Sequence, residues 1–280
     1  MTDGGKRTVL ITGTSSGIGA ATAGALAGAG WRVFAGVHRD EDVDAPSASA
    51  TSLPLDVTSA KSIAAAIAGL REATGGRLDA LVNNAGIPGA GPVETVPLET
   101  FRAVIETNLI GAFAVTQACL PMLRASAGRV VMVSSLGGRV AFPYASPYHA
   151  SKFGLEGLAE SLRAEVRPLD VDVVVVEPAA MSTEIWAKGR AALGDARKRM
   201  SDEQRGVYGE ELANFDERLR SAEDSEDPSE VAETILKALE AGSPSERYLV
   251  GRGAGSLAKL RPLLPDAVFD RIAKRVTGGT

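Results

Sequence analysis

Tyr148 and Lys152 stand four apart in the run Ser-Pro-Tyr-His-Ala-Ser-Lys, and Ser135 closes an apolar run upstream. On a helix, residues four apart lie one above the other on one face. The Lys152 ammonium is therefore expected beside the Tyr148 phenol, where a positive charge favours the phenolate and lowers a pKa that starts near ~10. A phenol shifted this way serves as a general acid or base. A serine hydroxyl brought from a neighbouring strand end would hydrogen-bond the oxygen of a reacting carbonyl or alcohol. Ser134 is the rival to Ser135, and alternation along a strand allows only one of them to face the substrate. His149, about 100° round the helix from Tyr148, reads as a bystander. Cys119, Trp31 and Met122 read as packing residues. Alone, a Tyr-x-x-x-Lys pair is common on helix surfaces; its meaning rests on the elements that position it.

The first of those elements is N-terminal. Residues 7–12 read as a short buried strand, and Gly13-Thr14-Ser15-Ser16-Gly17-Ile18-Gly19 follows at once. An Ala-rich helical stretch over 20–29 then runs to Gly30 as its C-cap. Strand, glycine-rich turn and helix N-terminus together suit a dinucleotide pyrophosphate: glycines let the backbone approach the anion, and free N–H groups and the helix dipole hold it. The spacing is Gly-x-x-x-Gly-x-Gly rather than Gly-x-Gly-x-x-Gly, and a tight βα turn with no ligand is the plainer alternative. Strands are expected over 32–37, up to Leu55, and over 78–82, 129–134, 171–177 and 247–250. Helices are expected over 59–74, over 98–123 with a break near Pro121, over 147–167 and over 228–241 with proline at N1. Residues 38–51 are polar and hold Pro46, so any helix there is short or missing. This alternation predicts an α/β fold with a parallel sheet covered on both faces. Residues 182–227 are polar, charged and weakly helical, as in a solvated helical pair. The tail over 255–276 carries apolar residues at helical spacing, suited to packing over a pocket or a partner subunit.

Composition bounds the function class. The chain has 280 residues, 45% of them hydrophobic, and a net charge of −5. That size fits one α/β domain. The acidic balance, with a pI near 5.3, argues against a nucleic-acid partner. No apolar run is expected to reach membrane-spanning length, and no signal peptide is read at the N-terminus. Cys119 is the single cysteine, so an intramolecular disulfide is impossible and a reducing cytoplasm is expected. With two histidines, no metal site is expected.

Thr12-Gly-x-x-x-Gly-Ile-Gly19, Asn83-Asn-Ala-Gly86, Asn108, Ser135, Tyr148 and Lys152 together resemble the short-chain dehydrogenase/reductases, in their compact single-domain branch, over about residues 7–183. The resemblance implies a Rossmann-type, doubly wound, seven-stranded parallel sheet of order 3-2-1-4-5-6-7, and an NAD(P)-dependent enzyme interconverting alcohol and carbonyl. Its catalytic set falls on Asn108, Ser135, Tyr148 and Lys152, with Asn108 holding a water that links the lysine to solvent. Its cofactor would lie along Gly13, Ser15, Ser16, Gly17, Ile18 and Gly19, then His38, Arg39, Asp56, Val57, Asn84, Ala85, Gly86, Tyr148, Lys152, Pro178 and Thr183. Asp56 matches an aspartate that accepts from the adenine amino group, although a turn or N-cap aspartate ahead of Ser59 is nearly as probable physically. Ala179 replaces the family's glycine after Pro178, which puts the conformation of the nicotinamide loop in question. Residues 182–227 become a substrate lid, and Phe142, Tyr144, Met181, Ile185 and Trp186, with Ser135, become pocket candidates. The Phe-Ala-Gly run after Val33 and the run Arg247-Tyr-Leu-Val-Gly251 resemble the retinol and 17β-hydroxysteroid side of the family, implying a bulky apolar alcohol or ketone. The family also implies a homodimer or homotetramer. A non-catalytic cofactor sensor, a structural subunit, and an epimerase or dehydratase are the competing classes.

NADP is favoured over NAD. The carboxylate that accepts from the ribose 2′-OH in NAD-preferring relatives is replaced by Val37, and His38 and Arg39 follow. A guanidinium suits a 2′-phosphate. Asp40, Glu41 and Asp42 would oppose that, and a solvated loop arginine is the plainer reading of Arg39.

Overall fold

The computed structural model describes residues 5–38, 50–252, 254–269 and 271. Seven parallel strands, β1 (Thr8–Thr12), β2 (Arg32–Val37), β3 (Ala50–Pro54), β4 (Ala80–Asn83), β5 (Arg129–Val133), β6 (Asp172–Pro178) and β7 (Arg247–Val250), form one sheet of order β3-β2-β1-β4-β5-β6-β7. Their continuous Val, Ile and Leu runs fit a sheet buried on both faces. Alternate residues feed opposite layers. Leu10 packs with α2 (Ala60–Thr74), α4 (Gly111–Arg124) and α5 (Ser146–Val166), through residues such as Ile67, Val115, Met122, Leu155 and Leu162. Val9 and Ile11 face α1 (Gly17–Gly28) and α8 (Ser229–Glu240) through Ala23, Leu26, Val231 and Ile235. The chain reverses between β3-β2-β1 and β4-β5-β6, so the crevice at the carboxyl ends of β1 and β4 is the topological switch point where ligands of such sheets bind.

The strands expected over 32–37 and 247–250 match β2 and β7. The helix expected over 98–123 begins as α3 (Leu98–Ile105) and joins α4 through a π turn, Glu106–Ile110. There the Gly111 N–H bonds the Glu106 carbonyl, five residues back. The break is thus at Asn108, and Pro121 sits inside α4 without ending it. The whole run, Leu98–Arg124, is 27 residues with a most-apolar window of mean hydropathy 1.4, long and apolar enough to cross a membrane by length and composition. This corrects the expectation that no apolar run reaches that length; in the fold α4 lies against β4 and α2, and α3 against α5.

The region after β6 is more ordered than its polarity suggested. It forms two antiparallel helices, α6 (Glu184–Arg199) and α7 (Asp202–Glu223), with Ser201 and Gln204 making a reciprocal capping box at the start of α7. The hairpin has a small core of its own, Leu193, Met200, Leu212, Phe215 and Leu219, closed against Ala90. Arg190 ties α6 to Asp216 and Glu223 of α7. The two ends of this excursion meet: Met181 and Glu226 form a parallel bridge, and Ser182 N–H donates to the Glu226 carbonyl at 2.7 Å. In the tail, α9 (Ala254–Leu260) and a following 3-10 turn replace one continuous helix. Phe269 packs on Val140, beside Leu136, Phe142 and Leu264.

Candidate active site

The glycine loop is built for close approach. Gly13 and Gly17 have φ of 69° and 57°, and a Cβ on Gly13 would come within 2.8 Å of Ala85 Cα. A Cβ on Gly19 would strike the Gly13 carbonyl and the Asn84 amide. Thr12 Oγ1 accepts from the N–H groups of Asn84 and Ala85, both at 3.0 Å, and Asn84 Nδ2 donates to the carbonyls of Thr12 and Gly13 at 3.0 and 2.8 Å. The Asn-Asn-Ala-Gly turn after β4 therefore clamps the loop after β1, leaving the N-terminus of α1 at the head of the crevice. Ser16 stands at the N-cap of α1 without a side-chain cap bond. Its hydroxyl donates instead to Glu184 at 3.3 Å, and Thr183 lies over Gly17. The first turn of α6 thus meets the glycine loop. Free N–H groups, a helix N-terminus and a floor that excludes side chains fit a dinucleotide pyrophosphate.

Farther along the crevice, Asp56 is largely a turn residue: one oxygen accepts from Thr58 N–H and hydroxyl at 2.9 and 2.7 Å. Partial burial opposes its charge, but those bonds and His38 hold its pKa below the ordinary value. Its other oxygen faces His38 Nε2 at 3.8 Å. Val57 is core, packed over Gly111. Arg39, with Asp40, Glu41 and Asp42, lies outside the described residues.

Ser135, Tyr148, Lys152 and Asn108 converge at the carboxyl end of the sheet. Ser135 leads the 3-10 turn Leu136–Gly138, and its Oγ accepts from Gly137 N–H at 3.0 Å. Its side chain neighbours Tyr148 and pulls the pKa of that phenol down. Lys152 is buried, donates to the Val133 carbonyl at 2.9 Å and lies 5.7 Å from the Tyr148 ring centroid. Asn108, buried in the π turn, accepts from Ile87 N–H at 2.8 Å and donates to the Ile87 carbonyl and to Ser151, each at 3.0 Å. Ser151 in turn donates to the Tyr148 carbonyl at 2.7 Å. The asparagine so fixes both the 86–88 loop and the first turns of α5.

The expected depression of the Tyr148 pKa by Lys152 is not what the protein alone shows. Burial raises the phenol, against a downward pull from Ser135. Burial also lowers Lys152 to about 8, with Glu156 opposing. Each side chain is enclosed, so each resists its charged form. Behind the lysine, Arg247 bonds Glu156, Glu177 and Glu160, and Arg139 stands 3.5 Å from Glu177. Glu177 is fully buried, and burial followed by the Glu156 charge pushes its pKa up.

A cavity of about 120 Å³ opens in front of Tyr148. Met181, Ile185 and Trp186 line it as expected, with Ile18, Pro178 and Thr183 on the cofactor side. Phe142 and Tyr144 do not. Phe142 packs with Val140 and Phe269, and Tyr144, held at a φ of 66°, sets its ring tilted at 56° against Phe215. The positions they were expected to hold go to Ala145 and to Phe215 and Leu219 of α7. Those two were missed because a long helical excursion shows no site motif. Ser134 and Ser135 both line the cavity: β5 ends at Val133, so strand alternation no longer separates them. Among the described residues Ser134 Oγ has no hydrogen-bond partner, and it is Ser135 that pulls the Tyr148 pKa down.

The family pattern for the short chain dehydrogenases matches residues 7–194, two thirds of the chain. The chain belongs to the short-chain dehydrogenases. It is an oxidoreductase acting on CH–OH groups. Mouse 17-beta-hydroxysteroid dehydrogenase type 1 is 37% identical over 267 residues, covering 90% of this chain and 76% of that protein. A short-chain dehydrogenase from Streptomyces avermitilis superposes with a TM-score of 0.78 at 28% identity, over 100% of both chains. One from Burkholderia cenocepacia, solved in complex with NADP, gives 0.74 at 25% identity over 95% of this chain and 97% of that one.

Proposed function

We propose that this dehydrogenase interconverts a bulky apolar secondary alcohol and its ketone with a nicotinamide cofactor, NADP in preference to NAD. The observation that carries the reading is the convergence of Ser135 and Tyr148 on the wall of one cavity, with Lys152 one turn along the same helix. Among the described residues, no side chain lining that cavity is charged, which favours a neutral substrate, since an unpaired carboxylate would lose its hydration there. The similarity to a steroid dehydrogenase supports the same class.

The nicotinamide, when bound, supplies or takes the hydride. Gly13, Gly17 and Gly19 let its pyrophosphate reach the N-terminus of α1, and Pro178 and Thr183 would border its ring. Ser135 donates to the substrate oxygen and polarises it. Tyr148 delivers the proton to that oxygen in reduction and removes it in oxidation. Lys152, one turn along α5, would hold the ribose hydroxyls of the bound cofactor and stabilise the phenolate. Asn108 keeps the first turns of α5 and the 86–88 loop in register, and would hold the water that returns protons from solvent to the lysine. For NADP, Val37 supplies no carboxylate at the end of β2, and Arg39 offers a fork for a 2′-phosphate.

A panel of neutral ketones and alcohols with each cofactor, followed at the nicotinamide absorbance, tests the reaction. Turnover restricted to short anionic substrates would refute the substrate class. A preference for NAD in kcat/KM, unchanged by Arg39→Ala, would overturn the cofactor choice.

A further inference from the structure

We propose that His149 is a positioning residue that sets Ser135 against Tyr148. The imidazole is buried and joins both ends of the loop after Ser135: Nδ1 lies 2.9 Å from the Gly137 carbonyl, and Nε2 lies 3.1 Å from Phe142 N–H. A carbonyl only accepts and an N–H only donates, so these partners fix the neutral ring with its proton on Nδ1. Gly137, whose carbonyl the ring holds, is the residue whose N–H donates to Ser135 Oγ at 3.0 Å. That oxygen belongs to the cavity wall it shares with Tyr148, whose pKa Ser135 pulls down. The links form a ring: hydrogen bonds join His149 to Gly137 and Gly137 to Ser135, Ser135 stands with Tyr148 on the cavity wall, and one peptide bond leads back to His149. A side chain on Gly137 would come within 3.0 Å of His149 Nδ1 and 3.3 Å of Ser135 Oγ, so the loop packs flush on the imidazole. The residue beside the proton donor thereby fixes the hydroxyl that shares its substrate oxygen. The other arm, to Phe142, anchors the far end of the loop where Phe142 packs with Val140 and Phe269.

This rests on the roles of Ser135 and Tyr148 proposed above, and the test separates the two. An Asn at 149 can place an amide donor near Nδ1 and keep the Gly137 arm; Gln reaches toward Phe142 instead; Leu fills the space and makes neither bond. With the best ketone of the panel, His149→Leu is expected to lower kcat tenfold or more at little change in cofactor KM. His149→Asn should stay within about threefold of the parent, and His149→Gln should fall between. A packing role gives the reverse order, Leu above Asn, and would overturn the proposal; so would equal losses in all three. If His149→Leu does not fold, the Asn-above-Gln order decides alone. Ser135→Ala and the Ser135→Ala/His149→Leu pair complete a cycle: a residue acting through Ser135 adds little once Ser135 is gone, and additive losses refute the ring. Full activity in Ser135→Ala would instead refute the catalytic reading. Ultraviolet titration of the free protein, with Tyr148 assigned by Tyr148→Phe, needs no turnover. His149→Leu should move the Tyr148 transition to higher pH, and an unmoved transition counts against the ring.

Discussion

At the residue scale, two side chains carry opposite relations between stability and activity. In the proposed reaction Tyr148 acts through a single hydroxyl. Tyr148→Phe is therefore expected to keep its thermal midpoint and cofactor affinity but lose turnover by roughly 10²–10⁴-fold, the usual worth of general acid–base catalysis. Lys152 is buried with a pKa near 8, against 10.5 for the free side chain. Below pH 8 the folded and unfolded states are both protonated, and the fold bears the whole cost of enclosing the charge. As pH rises from 8 towards 10.5 the folded protein releases its proton first, and its stability climbs. Lys152→Met should consequently be inactive yet melt higher than the parent at pH 7, with the gap narrowing above pH 8; calorimetry across that range checks it. A lower melting temperature at pH 7 would mean that the Val133 hydrogen bond outweighs the burial of charge.

At the element scale, what could be read from the sequence divides by the range of the interactions concerned. β2 and β7, the helices of the doubly wound layers and the glycine turn are written in local periodicity and glycine placement, and they were found. The π turn was not, because it depends on Asn108 bonding Ile87, 21 residues away. Helices α6 and α7 looked weak because their stability comes from Arg190 bridging to Asp216 and Glu223 and from a small shared core. His149 was set aside because no helical wheel shows a loop folding back on it. Glu156 and Glu177 likewise gave no signal, since Arg247, 91 and 70 residues away, is what allows them to be buried. That cluster joins α5, β6 and β7. Arg247→Met leaves two enclosed carboxylates facing each other and should cost about 3 kcal/mol, measured as a lower urea midpoint at pH 7. The deficit should shrink at acid pH, where the carboxyls take up protons.

At the scale of the whole molecule, several exposed apolar residues lie on the packed helices α3, α4 and α5. Phe101, Ile110 and Phe113 on the α3–α4 run and Phe153 on α5 are each more than a third exposed. Aromatic rings on two adjacent helices, left open to water, suit a two-fold helical interface between copies of the chain. Light scattering at micromolar concentration is expected to give a dimer or tetramer mass, and Phe113→Glu with Phe153→Glu to give monomer. Monomer in the parent would remove the case for this face. The α6–α7 hairpin poses a different question. Its start and finish touch through Met181, Ser182 and Glu226, so residues 183–225 leave and rejoin the fold at nearly one point. Such a segment can be exchanged without stretching the frame. It makes the enzyme a chassis with a replaceable cassette: grafting another helical hairpin between Thr183 and Glu226 is expected to reassign which alcohol is recognised while the proton and hydride machinery stays in place.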